Sequence, residues 1–134
     1  MSSLKGLIQI IDKDLSAEAF KFLLRLNPTY VKRVKLLASA SHLSSSFKEE
    51  YKALRDEMQH SGILVELRIL DERDSQDIHD RYLISDNAAY NTPPWNIINK
   101  KLGDVVRIEN HSSKRAHFDK FWGRATDILK VPTK

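Results

Sequence analysis

Apolar and polar positions along the chain predict strands and helices in alternation. Leu7 to Ile11 is a short apolar run closed by polar residues, which is typical of a buried strand. The segment from Ser16 to Leu26 begins with a hydroxyl-bearing N-cap and is rich in Ala, Leu and Phe, so it predicts a helix that ends before Asn27-Pro28. Val31 to Ala38 predicts a second strand.

The rest of the chain continues this order. Phe47, Tyr51, Leu54 and Met58 recur at helical spacing and predict a second helix, which ends at Ser61-Gly62. Further strands are predicted at Ile63–Leu70, Arg81–Ser85 and Asp104–Ile108. A turn at His111-Ser112-Ser113 leads to a closing helix whose apolar face is formed by Phe118, Phe121, Trp122, Ala125, Ile128 and Leu129. This order predicts an α/β domain in which helices cover a mixed sheet.

Composition narrows the class of protein. Of 134 residues, 41% are hydrophobic and 30% charged, with 4 Gly and 4 Pro, which excludes disorder and low complexity as the dominant character. The absence of cysteine excludes disulfides, thiolate metal sites and a cysteine nucleophile. Apolar runs are too short to span a membrane, and residues 1–6 lack the apolar core of a signal peptide. We expect a single domain over residues 1–134, cytoplasmic and without a membrane span.

The net charge of +4 is unevenly distributed. Acidic residues concentrate between positions 71 and 86, whereas the basic surplus lies in the two flanks. A sequence pI near 9.3 is compatible with a polyanionic partner and equally with ordinary solubility.

The stretch from Ile78 to Asn96 holds the polar residues with the clearest chemistry. It contains His79-x-Arg81-x(4)-Asp86, and Asn96 lies ten residues after Asp86. On a strand starting near Arg81, alternation places His79 and Arg81 on one face. An imidazole beside a permanent cation suits phosphoryl chemistry. The alternative is structural, with His79 capping the strand and pairing with a nearby carboxylate.

This stretch resembles the motif of the phospholipase D-like (HKD) superfamily, H-x-K-x(4)-D-x(6)-G-S-x-N. His79, Asp86 and Asn96 match it in identity and spacing, whereas Arg81 replaces the Lys and Pro93-Pro94 replaces the Gly-Ser. The element order, with FDKFWGRA after GDVVRIEN, is also similar to one half of that fold. The resemblance implies a phospholipase D-like domain with a mixed β-sheet flanked by helices.

In active members of that superfamily, two motifs meet across a two-fold axis, one His attacks phosphorus, the other protonates the leaving oxygen, and no metal or other cofactor is required. The resemblance therefore implies catalytic roles for His79, Arg81, Asp86 and Asn96, with phosphate held by Arg81 and Asn96. Because the chain has one such motif, an active site would require a homodimer. Arginine keeps the charge and can grip phosphate with two hydrogen bonds. Prolines offer neither glycine's freedom nor serine's hydroxyl, so we expect phosphate binding to survive better than turnover.

Other residues carry weaker hypotheses. A metal site is the alternative for the acidic stretch, but its spacing matches no EF-hand or H-E-x-x-H pattern, so a solvated loop without metal is favoured. That stretch comprises Asp71, Glu72, Asp74, Asp77, His79 and Asp80. Trp95 could stack on a base or anchor a loop to the core. A surface that tracks nucleic-acid phosphates would include Trp95, Lys100, Lys101, Arg107, Lys114 and Arg115, although scattered basic residues also simply solvate a face.

The leading hypothesis is a domain that recognises phosphodiesters, foremost in nucleic acid, with weakened or lost catalysis. One alternative is an active metal-independent phosphodiesterase or nuclease with a composite His79 site across a homodimer. Another is a protein-interaction or regulatory module in which the phosphate site is vestigial.

Overall fold

A mixed β-sheet runs through the domain in the computed structural model, which describes residues 4–79, 81–92, 94–95, 106–108 and 111–133. Within these residues the sheet has seven strands in the order β6-β5-β4-β1-β2-β3-β7. The strands are β1 Gly6–Ile11, β2 Val31–Ala38, β3 Leu64–Ile69, β4 Tyr82–Ile84, β5 Ala89–Asn91, β6 Val106–Ile108 and β7 Thr126–Asp127. The central three, β1 to β3, are parallel, and the strands added on either side are antiparallel.

Helices cover both faces of this sheet. They are α1 Ala17–Leu23, α2 Ser45–His60, α3 Glu72–Gln76 and α4 His111–Trp122, with 3-10 turns at Ala40–His42 and Ile128–Lys130. The prediction of an α/β domain in which helices flank a mixed sheet is confirmed.

One core lies between the sheet and helices α1 and α2. Alternate residues of β1, Ile8 and Ile10, point to this face and are fully buried. The helices contribute Phe20 and Phe47, whose ring centroids lie 5.3 Å apart, and the apolar stripe of α2. The stripe that predicted α2 from the sequence is therefore the side of the helix that packs on the sheet.

A second core lies on the opposite face, under α4. Ile11 and Tyr82 point to this face and pack with Phe118, Phe121 and Trp122 of the helix. β1 is covered on both faces and its apolar run is interrupted only by the buried Gln9, as expected for a parallel strand inside a sheet. β2 and β3 carry charged residues between their buried apolar ones.

The end of the chain differs from the prediction. α4 begins at His111, within the segment predicted as a turn, and ends at Trp122. Ile128 lies in a 3-10 turn and is buried in the core on the other face, while Leu129 is 39% exposed. The chain crosses from one face of the sheet to the other after α4, pairing β7 with β3. The helical spacing of Ala125, Ile128 and Leu129 therefore predicted a longer closing helix than the structure has.

The acidic stretch is also more ordered than the predicted solvated loop. Asp71 caps α3, accepting a hydrogen bond from the backbone N–H of Asp74 at 2.7 Å. Asp74 is itself buried and pairs with Arg124. This ion pair joins the acidic stretch to the turn after α4.

Among the helices that the structure describes, none combines the length and apolar character that crossing a bilayer requires.

Candidate phosphate site

The candidate site begins where the carboxyl end of β1 meets the start of β4. These strands are antiparallel, and Ile11 pairs with Tyr82. The residue after β1, Asp12, and the residue before β4, Arg81, are therefore neighbours. Two parallel strands also end at this edge, which is where open α/β sheets place their ligands.

Asp12 is the centre of a buried hydrogen-bond network. Its side chain is 3% exposed, and its Oδ2 accepts from Arg81 Nε at 2.8 Å and from Trp95 Nε1 at 2.7 Å. Its Oδ1 accepts from the backbone N–H of Asp14 at 2.9 Å. A buried carboxylate is costly unless it is paired and hydrogen-bonded, and here it is both.

Arg81 is fixed by this carboxylate but remains 25% exposed. The contact with Asp12 uses Nε, one edge of the planar guanidinium. The Nη atoms make no hydrogen bond to any residue that the structure describes, so a second acceptor has donors to meet. The neighbouring carboxylate offsets much of the cation's charge.

Trp95 serves as an anchor in this structure. Its side chain is 3% exposed, its N–H is committed to Asp12, and its ring centroid lies 5.3 Å from that of Phe22 in α1. Base stacking, the other role considered for Trp95, would require the ring to leave this packing. The observed burial corresponds to the alternative in which the indole anchors a loop to the core.

His79 lies before β4 and is exposed. It lines a cavity of about 380 Å³ together with Lys114 and His117 of α4. The structure thus brings His79 and Lys114 together, while His117 is a site residue that the sequence did not reveal. The sequence feature that could have identified His117 is the helix, because a helix that starts at His111 places positions 114 and 117 on one face.

Asp86 lies beyond the other end of β4, two residues after Ile84, whereas Arg81 precedes the strand. It accepts a hydrogen bond from the backbone N–H of Leu7 at 3.2 Å, and its carboxylate is 3.7 Å from Arg115. The carboxylate also crowds Gly6, whose φ is +70°, so a side chain there would collide with it. The structure does not bring Asp86 or Arg115 to the end of the sheet where Arg81 lies.

Several predicted site residues cannot be placed. Asn96, Lys100, Lys101, Asp80 and Pro93 lie outside the described residues, and of Arg107 the structure gives only the backbone, in β6. Among the described residues, no group of three His, Asp or Glu side chains is placed to hold a metal ion.

Comparison with known proteins gives a fold-level likeness. No protein-family model and no curated protein matches the chain. Among solved structures, it is similar to TrmBL2, an archaeal chromatin protein whose structure shows a novel mode of DNA binding. The TM-score is 0.51 and the identity 19%, over 93% of this chain and 46% of TrmBL2. The chain therefore spans about half the length of that protein, and the likeness concerns the fold.

Proposed function

We propose that this chain is a phospholipase D-like domain that binds phosphodiester groups of nucleic acid without cleaving them. The observation that carries the proposal is Arg81, held by the buried Asp12 at the carboxyl end of β1 with a quarter of its side chain exposed. TrmBL2, which resembles this chain in fold, binds DNA, so nucleic acid is the phosphodiester to test first.

Binding follows from the way Arg81 is held. Ordering a long side chain costs conformational entropy when a ligand binds, and the contacts with Asp12 have already ordered this one. A guanidinium has donors on more than one edge, so the Nη atoms of Arg81 can donate to phosphate oxygens while Nε stays with Asp12. Because Asp12 offsets the positive charge, we expect the affinity to be modest.

Loss of catalysis follows from the surroundings of His79. A nucleophilic or proton-transferring imidazole is normally oriented by a hydrogen bond to its second nitrogen, and no described residue makes one to His79. Asp86, which the motif assigns to the site, lies at the far end of β4. Pro93-Pro94 stands where the superfamily motif has Gly-Ser, which removes a hydroxyl and two backbone donors.

The proposal includes a homodimer in which the His79 edges of two chains face each other. One chain supplies one motif, and the exposed position of His79 beside the start of β4 leaves it accessible to a second copy. Even without turnover, two copies of Arg81 near one axis would present two phosphate contacts on one surface.

Fluorescence anisotropy with a labelled DNA oligonucleotide at several salt concentrations tests the binding. Arg81→Lys keeps a cation beside Asp12 but removes the planar fork, so we expect the DNA affinity to fall by about 1–3 kcal/mol with the fold intact. The wild-type affinity should drop steeply with salt, since the contacts are to phosphate. Arg33→Ala is the matched control, because Arg33 also pairs with a carboxylate, that of Glu66, but lies away from the site.

Equal losses of DNA affinity in Arg81→Lys and Arg33→Ala would show that the loss is not specific to the guanidinium of Arg81 and would contradict its role. Binding that does not change with salt would exclude phosphate contacts as its source.

A further inference from the structure

An apolar groove lies between α1 and α2, on the outer side of these two helices. Phe20 and Leu54 form its buried floor, and Leu24, directly after α1, lies at its edge with 46% of its surface exposed. The groove is about 250 Å³ in volume, below the range of about 300–1,000 Å³ typical of small-molecule sites. This space suits one or two apolar side chains inserted from another macromolecule better than a whole organic ligand.

The walls of the groove favour a helix as the inserted element. Ala17 and Ala53 line the groove, and their small side chains let a partner approach α1 and α2 closely. The described lining residues all belong to α1, its C-cap and α2, whose backbone groups bond within the helices. An extended peptide would therefore find no strand edge with which to pair its backbone here, whereas a helix satisfies its own backbone hydrogen bonds.

Two exposed carboxylates, those of Glu50 and Glu57, border the groove. The neighbouring charges on α1 and α2 form ion pairs, which are Glu18 with Lys21, Glu49 with Lys52 and Asp56 with Arg55. Lys48 reaches the carbonyl of Val131 and does not line the groove. Glu50 and Glu57 form no ion pair with any residue that the structure describes, so the border of the groove is negatively charged.

The spacing of these carboxylates sets the pattern of a complementary helix. Glu50 and Glu57 are seven positions apart on α2, which is two turns and about 10 Å along the helix axis. A second helix packed at the shallow crossing angle of about 20° common in bundles repeats over the same distance. Two basic residues seven positions apart on that helix can meet both carboxylates, while apolar residues at three- and four-residue spacing enter the groove. Nucleic acid and anionic lipid would be repelled by the same carboxylates.

We propose that the groove between α1 and α2 binds an amphipathic helix of a partner protein. The helix places apolar side chains in the groove, and two of its basic side chains, seven residues apart, pair with Glu50 and Glu57. This docking site does not depend on nucleic-acid binding at Arg81.

Fluorescence anisotropy with a labelled synthetic peptide tests the proposal. The probe is an alanine- and glutamine-based helix of about 16 residues, with leucines at three- and four-residue spacing and two lysines seven residues apart. It should bind saturably. The same peptide with glutamates in place of both lysines should bind at least about tenfold more weakly, because attraction to the two carboxylates becomes repulsion.

Variants of the protein locate the binding. Leu24→Ser removes an exposed apolar contact and should weaken peptide binding about tenfold with the fold intact. Glu50→Gln combined with Glu57→Gln should weaken it about fivefold at low salt. The matched control combines Glu49→Gln with Asp56→Asn, which removes the same charge from the same helix outside the groove, and should weaken it less than about twofold.

Three results would overturn the proposal: no saturable binding of the lysine peptide up to about 1 mM, equal losses in the two double variants, or peptide binding that Leu24→Ser does not change. Self-association of the protein alone that Leu24→Ser abolishes would assign the groove to a second copy of this chain and also overturn it. Binding to phosphatidylserine vesicles that Leu24→Ser abolishes would assign the groove to a membrane surface, with the same consequence.

Two variants separate this proposal from the nucleic-acid one. Arg81→Lys should bind the peptide as wild type does while its DNA affinity falls, and Leu24→Ser should keep the wild-type DNA affinity. A loss of peptide binding in Arg81→Lys would contradict a separate docking site.

Discussion

At the scale of single residues, Asp12 explains why Arg81 is held so firmly. Its carboxylate is buried and accepts hydrogen bonds from a guanidinium, an indole and a backbone amide. Each hydrogen bond offsets part of the free-energy cost of burying the negative charge of Asp12. The same contacts join β1, the start of β4 and the segment at Trp95, so the site and the packing of this end of the sheet depend on one carboxylate.

Phosphodiester hydrolysis also depends on single residues. We expect no hydrolysis of bis(p-nitrophenyl) phosphate above the buffer rate in the presence of EDTA, because no described group orients His79 and Asp86 lies at the far end of β4. His79→Ala should therefore match wild type in a spectrophotometric assay of p-nitrophenolate release.

Hydrolysis that resists EDTA and disappears in His79→Ala would instead establish the composite enzyme. Hydrolysis that requires added divalent metal would indicate metal-dependent chemistry, and neither interpretation based on the HKD motif would hold.

At the scale of elements, periodicity predicted the parts of the fold that bury one clear face. The stripe of α2 and the apolar runs of β1 to β3 lie where the sequence placed them, because local pattern and tertiary packing agree there. The short strands β5 and β7 were not predicted. With three and two residues they form through pairing with a neighbouring strand, which local pattern does not encode.

The candidate site was likewise predicted from the sequence only in part. The sequence identified His79 and Arg81 because a spaced motif is visible in one dimension. Asp12 is 69 residues from Arg81 in the sequence, and only the register of β1 with β4 brings the two together. His117 is 35 residues from Tyr82, and only the position of α4 brings that pair together. Long-range contacts of this kind require the fold to be known.

Tyr51 provides a test of how α2 packs on β3. Burial raises the pKa of Tyr51 to about 12 from the ordinary value of 10.0, and its hydroxyl donates to the carbonyl of Val65 at 3.2 Å. The unfolded chain therefore loses this proton first as pH rises. The stabilisation is complete below about pH 10 and is lost progressively between about pH 10 and 12, at about 1.4 kcal/mol per pKa unit.

Urea unfolding of wild type and Tyr51→Phe at about pH 8 and pH 11 measures this effect. We expect Tyr51→Phe to be less stable by about 1 kcal/mol at pH 8, where it lacks the hydrogen bond, and to lose less stability than wild type on going to pH 11. Tyr30→Phe removes an exposed hydroxyl and should follow wild type at both pH values. The same alkaline loss in wild type and Tyr51→Phe would contradict the burial of this phenol.

At the scale of the whole molecule, the two helical faces differ in charge. The solvated side of α2 carries exposed Glu49, Glu50, Asp56 and Glu57 together with the partly exposed Lys48, Lys52 and Arg55, whereas α4 and the turn after it present mainly basic side chains. Those basic side chains are Lys114, Arg115, Lys120 and Arg124, with Asp119 as the acidic one among them. A polyanion would be attracted more strongly by the α4 face than by the α2 face, where acidic and basic side chains nearly balance.

The proposed homodimer is testable through its symmetry. In a two-fold interface every residue near the axis meets its own copy, so a new charge there is placed opposite itself. If the His79 edges face each other, His79→Glu brings two carboxylates together and should convert the dimer to monomers of 15.5 kDa in sedimentation velocity at micromolar concentration. Gln59→Glu adds the same charge at an exposed position on α2 and should leave the dimer intact. A wild-type monomer would contradict the homodimer, and a dimer that His79→Glu does not disturb would place the two-fold axis elsewhere. Either result would exclude a composite site, because its two histidines must reach the same phosphodiester.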